Sequence, residues 1–141
     1  NGYDHVIDYN STDFEAEVMR LTDGVGVDVA YDSVGNDTMA RTITSTKRHG
    51  TIIAFGQSSG PYVDFKITDL AKGSYHLSRP TLFHFVADRR WLENAAAKLF
   101  ELVSCGKITI SINQRFPLKD VAKAHEALTS RVTTGCTVLK P

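Results

Sequence analysis

The sequence predicts an α/β fold built on a parallel sheet, and two stretches carry that prediction. Thr51–Gly56 contains an unbroken apolar run, Ile52 to Phe55, which is typical of a strand covered on both faces. Val27–Gly35 alternates apolar and polar residues in part and predicts a second strand. A polar helical segment joins the two, and helix-flanked parallel sheets are where such strands occur.

Both predicted strands end on a glycine followed by small polar residues, Gly35-Asn36-Asp37 and Gly56-Gln57-Ser58-Ser59-Gly60. In open α/β sheets, ligands bind beyond the carboxyl ends of the strands, where glycine turns let the backbone approach a phosphate or ribose. The pattern therefore predicts a binding edge. The alternative is that these glycines only end the strands.

The chain begins with a short predicted strand, His5–Tyr9. Thr12 and Glu15 have the spacing of a capping box and predict a helix start, followed by an apolar face of Phe14, Val18 and Leu21. The segment Asp23–Gly26 ends this helix and leads into the first central strand.

Between the central strands, the sequence predicts a helix that Asn36 or Asp37 caps and that runs to about His49. Its threonines are poor helix formers, so the helix depends on packing of Met39, Ala40 and Ile43 against the sheet. Gly50 is expected in the left-handed conformation just past the helix end.

The next segments predict a short helical turn at Ile67–Lys72 and a strand at Tyr75–Ser78. Arg79-Pro80 interrupts that strand, and because proline cannot donate to a ladder, the strand is expected at an edge. Asp88 is expected to cap the longest helix, which has an apolar stripe of Leu92, Ala96, Leu99 and Val103.

The last part of the chain predicts two strands around a helix. Ile108–Asn113 alternates isoleucine with polar residues, as a half-buried strand does. Pro117 is expected to start a helix, and Cys136–Leu139 is expected to form the final strand.

Composition excludes several classes of protein. The 141 residues balance 16 Lys and Arg against 16 Asp and Glu, and no basic stripe interleaved with aromatics indicates a nucleic-acid surface. No apolar run approaches the roughly 20 residues of a membrane span. Cys105 and Cys136 have no CxxC partner, so a reducing, cytoplasmic setting is expected. The chain starts at Asn1 without Met, and we expect it to be a fragment.

No motif in the chain specifies a catalytic or metal site. A triad assembled from Ser33, Asp32 and a histidine would rest on composition alone, and no His or Cys residues share ligand spacing. Arg79 and Arg131 are better candidates, because each lies beside a turn where a guanidinium can reach a phosphate. The alternative for each arginine is a solvated surface position.

An ordered set of motifs resembles the C-terminal half of NADPH:quinone oxidoreductases, the zeta-crystallin-like, zinc-free branch of the medium-chain dehydrogenase/reductase superfamily. The set runs from about Asp4 to Pro141 and consists of Asp4–Tyr9, Gly26–Gly35, Gly50–Gly56 and Pro117–Glu126. The resemblance implies a partial Rossmann-type parallel sheet with flanking helices in residues 1–90. It implies that residues 91–141 return into a GroES-like catalytic domain, and that the glycine-rich loop and first two strands lie outside this sequence.

The resemblance also implies NADPH as cofactor and a set of residues that bind it. Tyr9 is expected near the adenosine end, and Ser33 near the ribose and pyrophosphate. Arg131 matches an arginine that approaches the adenosine phosphate. The nicotinamide end is expected to lie against two segments, Phe55-Gly56-Gln57-Ser58 and Ser78-Arg79. Neither a catalytic residue nor a metal ligand is implied in this chain.

The function implied is hydride transfer from NADPH to a quinone or another α,β-unsaturated carbonyl compound. Two alternatives stay open. In the first, the chain by itself is an inactive fragment, or a structural module that forms a homodimer through the sheet edge at about Tyr75–Ser78. In the second, the whole protein is an enoyl reductase or an alcohol dehydrogenase relative.

Without the first two strands of the family's sheet, the strand Val27–Val34 would lack a neighbour. An open edge with apolar faces is an association hazard. We therefore expect His5–Tyr9 to pair directly with this strand, or another chain to fill the gap.

Overall fold

The computed structural model describes residues 2–141, which form two compact units, Gly2–Phe85 and Val86–Pro141. The domain division expected from the resemblance, 1–90 and 91–141, concerns the whole protein and stays a prediction. Among residues 2–141, no helix is both long enough and apolar enough to cross a membrane.

The first unit contains a three-stranded parallel sheet, which confirms the predicted α/β class. Helix α1 (Phe14–Leu21) precedes strand β1 (Val27–Asp32), and helix α2 (Met39–Thr44) connects β1 to strand β2 (Thr46–Ala54). Strand β3 (His76–Ser78) follows a 3₁₀ turn at Ile67–Lys72. The order across the sheet is β1-β2-β3, so β3 lies at an edge, as the nearby proline predicts.

The core of this unit lies between α2 and one face of the sheet. Ile52 is 0% exposed and packs with Ala54, Met39 and Ile43. The ring of partly buried residues around them is Tyr62, Phe65, Tyr75 and Leu77. Burial of side chains of this size stabilises a fold by about 1.5–3 kcal/mol each.

The other face of the sheet is only partly covered within residues 2–141. Tyr31 is 74% exposed and Phe55 is 52% exposed, and their rings meet edge to face with centroids 6.4 Å apart. Val29, on the same face of β1, is exposed as well. The expectation that the run Ile52 to Phe55 is covered on both faces is therefore wrong at Phe55, and β1 is exposed at Val29 and Tyr31.

The expected strand at His5–Tyr9 does not form, and the expectation that it pairs with β1 is wrong. Asp8 instead closes a local turn, because its carboxylate accepts hydrogen bonds from the amide of Asn10 (3.0 Å) and the hydroxyl of Ser11 (2.9 Å). Such side-chain bonds to nearby groups compete with strand pairing. The other expectation, that a second chain pairs with β1, stays a prediction.

Helices α1 and α2 begin at residues other than those predicted. The carboxylate of Asp13, rather than the hydroxyl of Thr12, caps α1 by accepting from the amides of Glu15 (3.1 Å) and Ala16 (3.3 Å). Thr38, rather than Asn36 or Asp37, precedes α2.

Helix α2 also ends five residues earlier than the predicted end near His49. The hydroxyl of Ser45 bonds back to the carbonyl of Arg41 (2.7 Å), and β2 begins at the next residue. His49, with φ 62°, takes the left-handed conformation expected at Gly50. Gly50 is constrained by space, because a Cβ there would lie 2.5 Å from Cγ2 of Thr46.

The second unit pairs two parallel strands with two longer helices. Helix α3 (Leu82–Val86) leads from the first unit, and helix α4 (Arg89–Ser104) begins at Asp88, whose predicted capping role is confirmed by its bond to the amide of Arg90 (2.9 Å). Strand β4 (Ile112–Pro117), helix α5 (Val121–Thr129) and strand β5 (Cys136–Lys140) follow.

The predicted strand Ile108–Asn113 forms only from Ile112. The amide of Ile108 donates to the carbonyl of Leu102 (3.1 Å), which ties residues after α4 to the helix end and removes them from the sheet. Pro117 ends β4, and α5 starts after a 3₁₀ turn at Leu118–Asp120, so the predicted helix start is four residues early.

Candidate functional site

Two loops leave the carboxyl ends of β1 and β2 and are hydrogen-bonded to each other. We call residues 33–37 the β1 loop and residues 55–60 the β2 loop. The amide of Ser58 donates to the carbonyl of Ser33 (3.2 Å), and the amide of Ser59 donates to the carbonyl of Val34 (2.8 Å). In return, the amide of Asn36 donates to the carbonyl of Gly60 (3.0 Å). The two loops therefore form one continuous polar surface at this edge of the sheet.

Glycine is required where the two loops touch. At Gly35, with φ 91°, a Cβ would lie 2.4 Å from the carbonyl oxygen of Gly60. At Gly56, a Cβ would lie 2.5 Å from the carbonyl oxygen of Ser33. These glycines do more than end the strands, because a side chain at either position would separate the loops.

Asp32, at the end of β1, is hydrogen-bonded to the backbone of the β1 loop. It is 4% exposed, and its Oδ1 accepts from the amides of Val34 and Gly35, both at 2.9 Å. Its Oδ2 accepts from the hydroxyls of Thr38 (2.8 Å) and Thr42 (2.7 Å). These four bonds occupy the acceptor sites of the carboxylate, so Asp32 is not free to orient a histidine in a triad.

The sequence analysis did not identify this cluster. A carboxylate at the end of an apolar strand, followed by two threonines four residues apart in a poor helix, is the signal that could have shown it. A buried charge must be hydrogen-bonded, and hydroxyls that follow within the next helical turns can serve as donors.

Two cavities lie beside the paired loops. The first, of about 270 Å³, brings together Tyr9 and Ser33, as expected from the resemblance, and is also lined by Asp32, Thr38 and Thr42. The second, of about 150 Å³, brings together three expected residues, Gly56, Gln57 and Arg79, and the rest of its lining is mostly apolar. The guanidinium of Arg79 donates to the carbonyl of Pro80 (3.0 Å).

The other expected residues lie elsewhere. Phe55 lies against Tyr31 on the sheet face opposite α2, and Ser58 contacts the β1 loop through its backbone. Ser78 is exposed on β3. Arg131, with φ 58°, belongs to the second unit, where its amide donates to the carbonyl of Leu128 (3.2 Å).

Beside the first cavity, the hydrogen bond from the backbone of Asn10, reinforced by that from Ser11, lowers the pKa of the Asp8 carboxyl. The turn at Asp8, between two residues that line the first cavity, therefore carries a negative charge at neutral pH. Within residues 2–141, no group of three or more His, Cys, Asp or Glu side chains could hold a metal ion.

The chain is similar to known oxidoreductases along nearly its whole length. A family described as zinc-binding dehydrogenase matches residues 1–139. The quinone oxidoreductase of Pseudomonas aeruginosa is 41% identical over 96% of this chain, and 2-haloacrylate reductase of a Burkholderia species is 35% identical over 99%.

The structure of Escherichia coli quinone oxidoreductase complexed with NADPH superposes on 97% of this chain with a TM-score of 0.92 and 37% identity, and the match covers 43% of that protein. The chain likewise spans 42% of the Pseudomonas relative and 43% of the Burkholderia relative. The resemblance to quinone oxidoreductases is confirmed, and the match over residues 1–139 shows that the chain belongs to the zinc-binding dehydrogenase family.

Proposed function

We propose that this chain is part of an oxidoreductase that transfers hydride from NADPH to a quinone or another α,β-unsaturated carbonyl compound. The observation that carries the proposal is the polar surface formed by the β1 and β2 loops at the carboxyl ends of parallel strands. In open α/β sheets this edge is where dinucleotides bind. NADPH, when bound, supplies the hydride, while the protein binds and orients it and excludes water.

The groups around the two cavities have the chemistry that a dinucleotide requires. Tyr9 offers an aromatic ring and Ser33 a hydroxyl beside the larger cavity, which suit an adenine and a ribose. Each cavity, about 270 and 150 Å³, is smaller than the roughly 300–1,000 Å³ of a typical ligand pocket. We therefore assign each cavity to one part of an extended cofactor.

The smaller cavity is assigned to the nicotinamide end. Gln57 and Arg79 supply hydrogen-bond donors that fit a carboxamide oxygen, and Gly56 lets the backbone approach closely. Phe55, Ser58 and Ser78 line neither cavity, and their assignment to the same end rests on the resemblance alone. Arg131 is assigned to the 2′-phosphate, because a guanidinium binds phosphate oxygens in pairs.

The acceptor class rests on the relatives. Two proteins similar to this chain are named for reactions with a quinone and with a 2-haloacrylate, and both compounds carry a carbon–carbon double bond conjugated to a carbonyl group. Such a bond accepts a hydride at carbon while negative charge develops on the oxygen. A protein that reduces this class needs to stabilise that charge.

The experiment is an assay of the whole protein for NADPH oxidation with a quinone and, separately, with a 2-haloacrylate. Gln57→Ala should raise KM for NADPH about 3- to 10-fold, as expected for loss of one hydrogen bond. Gln114→Ala is the matched control, because Gln114 lies on β4 and its amide oxygen accepts from Thr137 (3.2 Å). If the protein consumed NADPH with neither acceptor, the proposed function would be refuted.

The 141-residue chain by itself is expected to be inactive, since no GxGxxG phosphate loop, as the resemblance implies for the family, occurs in it. Titration of the chain with NADPH, followed by nicotinamide fluorescence, tests this. Micromolar binding would show that the two loops suffice to hold the cofactor.

A homodimer is the second proposal, and the edge position of β3 favours it. Within residues 2–141, β3 pairs only with β2, which leaves one edge of Tyr75–Ser78 open for the same strand of a second chain. Analytical ultracentrifugation tests the oligomeric state. If the dimer forms through β3, the amides of Tyr75–Ser78 should lose protection from hydrogen exchange when the protein is diluted. A monomer at micromolar concentration would contradict the proposal.

A further inference from the structure

We infer that Asp32 is a positioning residue for the dinucleotide: it holds the β1 loop in its binding conformation and thereby sets the affinity for NADPH without touching the cofactor. The inference rests on the proposed function. Nothing in the resemblance assigns a role to Asp32, and the evidence for one is the set of groups bonded to it.

Asp32 joins three parts of the site, two through its carboxylate and one through its backbone carbonyl. Its Oδ1 holds the amides of Val34 and Gly35 in the β1 loop, and its Oδ2 holds the hydroxyls of Thr38 and Thr42, before and inside α2. The same residue's backbone carbonyl accepts from the amides of Phe55 (2.9 Å) and Gly56 (3.3 Å). One residue therefore fixes the start of both loops.

The bonds explain how Asp32 influences ligand binding through other groups. Its side chain is buried, and its oxygens are already occupied by four donors. Ser33, Val34, Thr38 and Thr42 line the larger cavity together with Asp32. Loss of the carboxylate would release the amides of the β1 loop and two threonine hydroxyls of the cavity wall, and so change the cavity that receives the ligand.

The charge and the hydrogen bonds of Asp32 predict opposite effects on binding. If its negative charge acted directly on the phosphates, removal of the charge would relieve repulsion and tighten NADPH binding. If Asp32 positions the loop, removal weakens binding. Asparagine separates the two cases, because it is neutral but keeps one carbonyl oxygen for the amides of Val34 and Gly35.

The test compares Asp32→Ala and Asp32→Asn in the whole protein by steady-state kinetics and by NADPH titration. We expect Asp32→Ala to raise KM and Kd for NADPH on the order of 10- to 100-fold, the range that misplacement of a binding group produces. Asp32→Asn should recover most of that loss. The value of kcat at saturating NADPH should change less than about 3-fold in both, because the reacting atoms are held by other residues.

Two control variants remove the general effects of charge and stability. Asp28→Ala removes the same charge from an exposed position of the same strand. Thr46→Val removes a buried hydroxyl that bonds to the carbonyl of Thr42 (2.8 Å), and it destabilises the same region without freeing the loop. Both should leave KM for NADPH within about 2-fold of wild type.

Each outcome decides between distinct statements. A wild-type protein that does not bind or oxidise NADPH overturns the proposed function and this inference with it. A wild-type protein that does, with Asp32→Asn and Asp32→Ala binding equally well or more tightly, overturns the inference alone. Should Asp32→Ala fail to fold, Asp32→Ser takes its place. Unchanged KM for NADPH together with unchanged hydrogen exchange at Val34 and Gly35 in Asp32→Ser would overturn the positioning role.

Discussion

Replacement of Gly35 by alanine tests whether the two loops depend on their close approach. The new Cβ would lie 2.4 Å from the carbonyl oxygen of Gly60, about 1 Å inside ordinary contact. The loops must then separate, and the bond from the amide of Asn36 to that carbonyl is lost. A non-glycine residue at this φ of 91° adds backbone strain. Strain of about 1–3 kcal/mol and a lost bond of about 0.5–1.5 kcal/mol give a total loss of about 1.5–4.5 kcal/mol.

Gly60→Ala is the matched control, because Gly60 has a similar φ of 103° but no heavy atom within 4 Å of the added Cβ. It carries the strain without the steric conflict. The free energy of unfolding, from urea denaturation followed by circular dichroism, should fall further in Gly35→Ala than in Gly60→Ala. Equal losses in the two variants would show that the contact between the loops contributes nothing, and would refute the reasoning.

Three further predictions concern the core, the second unit and the surface. Ile52→Ala, at the most buried position, should lower the free energy of unfolding by about 2–5 kcal/mol in urea denaturation. In the whole protein, Arg131→Ala should raise KM for NADPH more than KM for NADH, at a cost of about 1.5–3 kcal/mol; an equal effect on both would exclude a phosphate contact. The hydrogen bond from Lys47 lowers the pKa of Asp28 below its ordinary 3.8, so the pair stabilises the fold above that pH and loses its effect as the pH falls through the lowered value. Titration by NMR should show the pKa of Asp28 rising again in Lys47→Met, and an unchanged midpoint would argue against the ion pair in solution.

The parallel sheet was predictable because its signal is local and chemical. The apolar run through Ile52 indicates a strand of a parallel sheet, and Pro80 indicates that β3 lies at an edge. Asp88 likewise marks the start of α4 by a bond to its own neighbours. In each case a few consecutive residues carry the information.

The positions that depend on contacts between distant residues could not be predicted in this way. Whether β1 is covered on both faces depends on groups far along the chain, and Tyr31 lies exposed. His5–Tyr9 has a strand-like composition, yet the side chain of Asp8 closes a turn there. The four donors that bond to Asp32 lie up to ten residues from it in the sequence, and the pattern of residues does not by itself show that all four meet there.

The arrangement of β1, α2 and β2 also bears on the order in which the chain folds. The strands pair in parallel across a connection that consists only of residues 33–45, close to the minimum for a parallel crossover. Short closure loops form early, because the entropy lost on closing them is small. We expect the β1–β2 pairing, and with it the β1 loop, to acquire protection in pulse-labelling hydrogen exchange before the more distant pairing of Leu77 with Ile52. Simultaneous protection of both pairings would show instead that the sheet forms in one step.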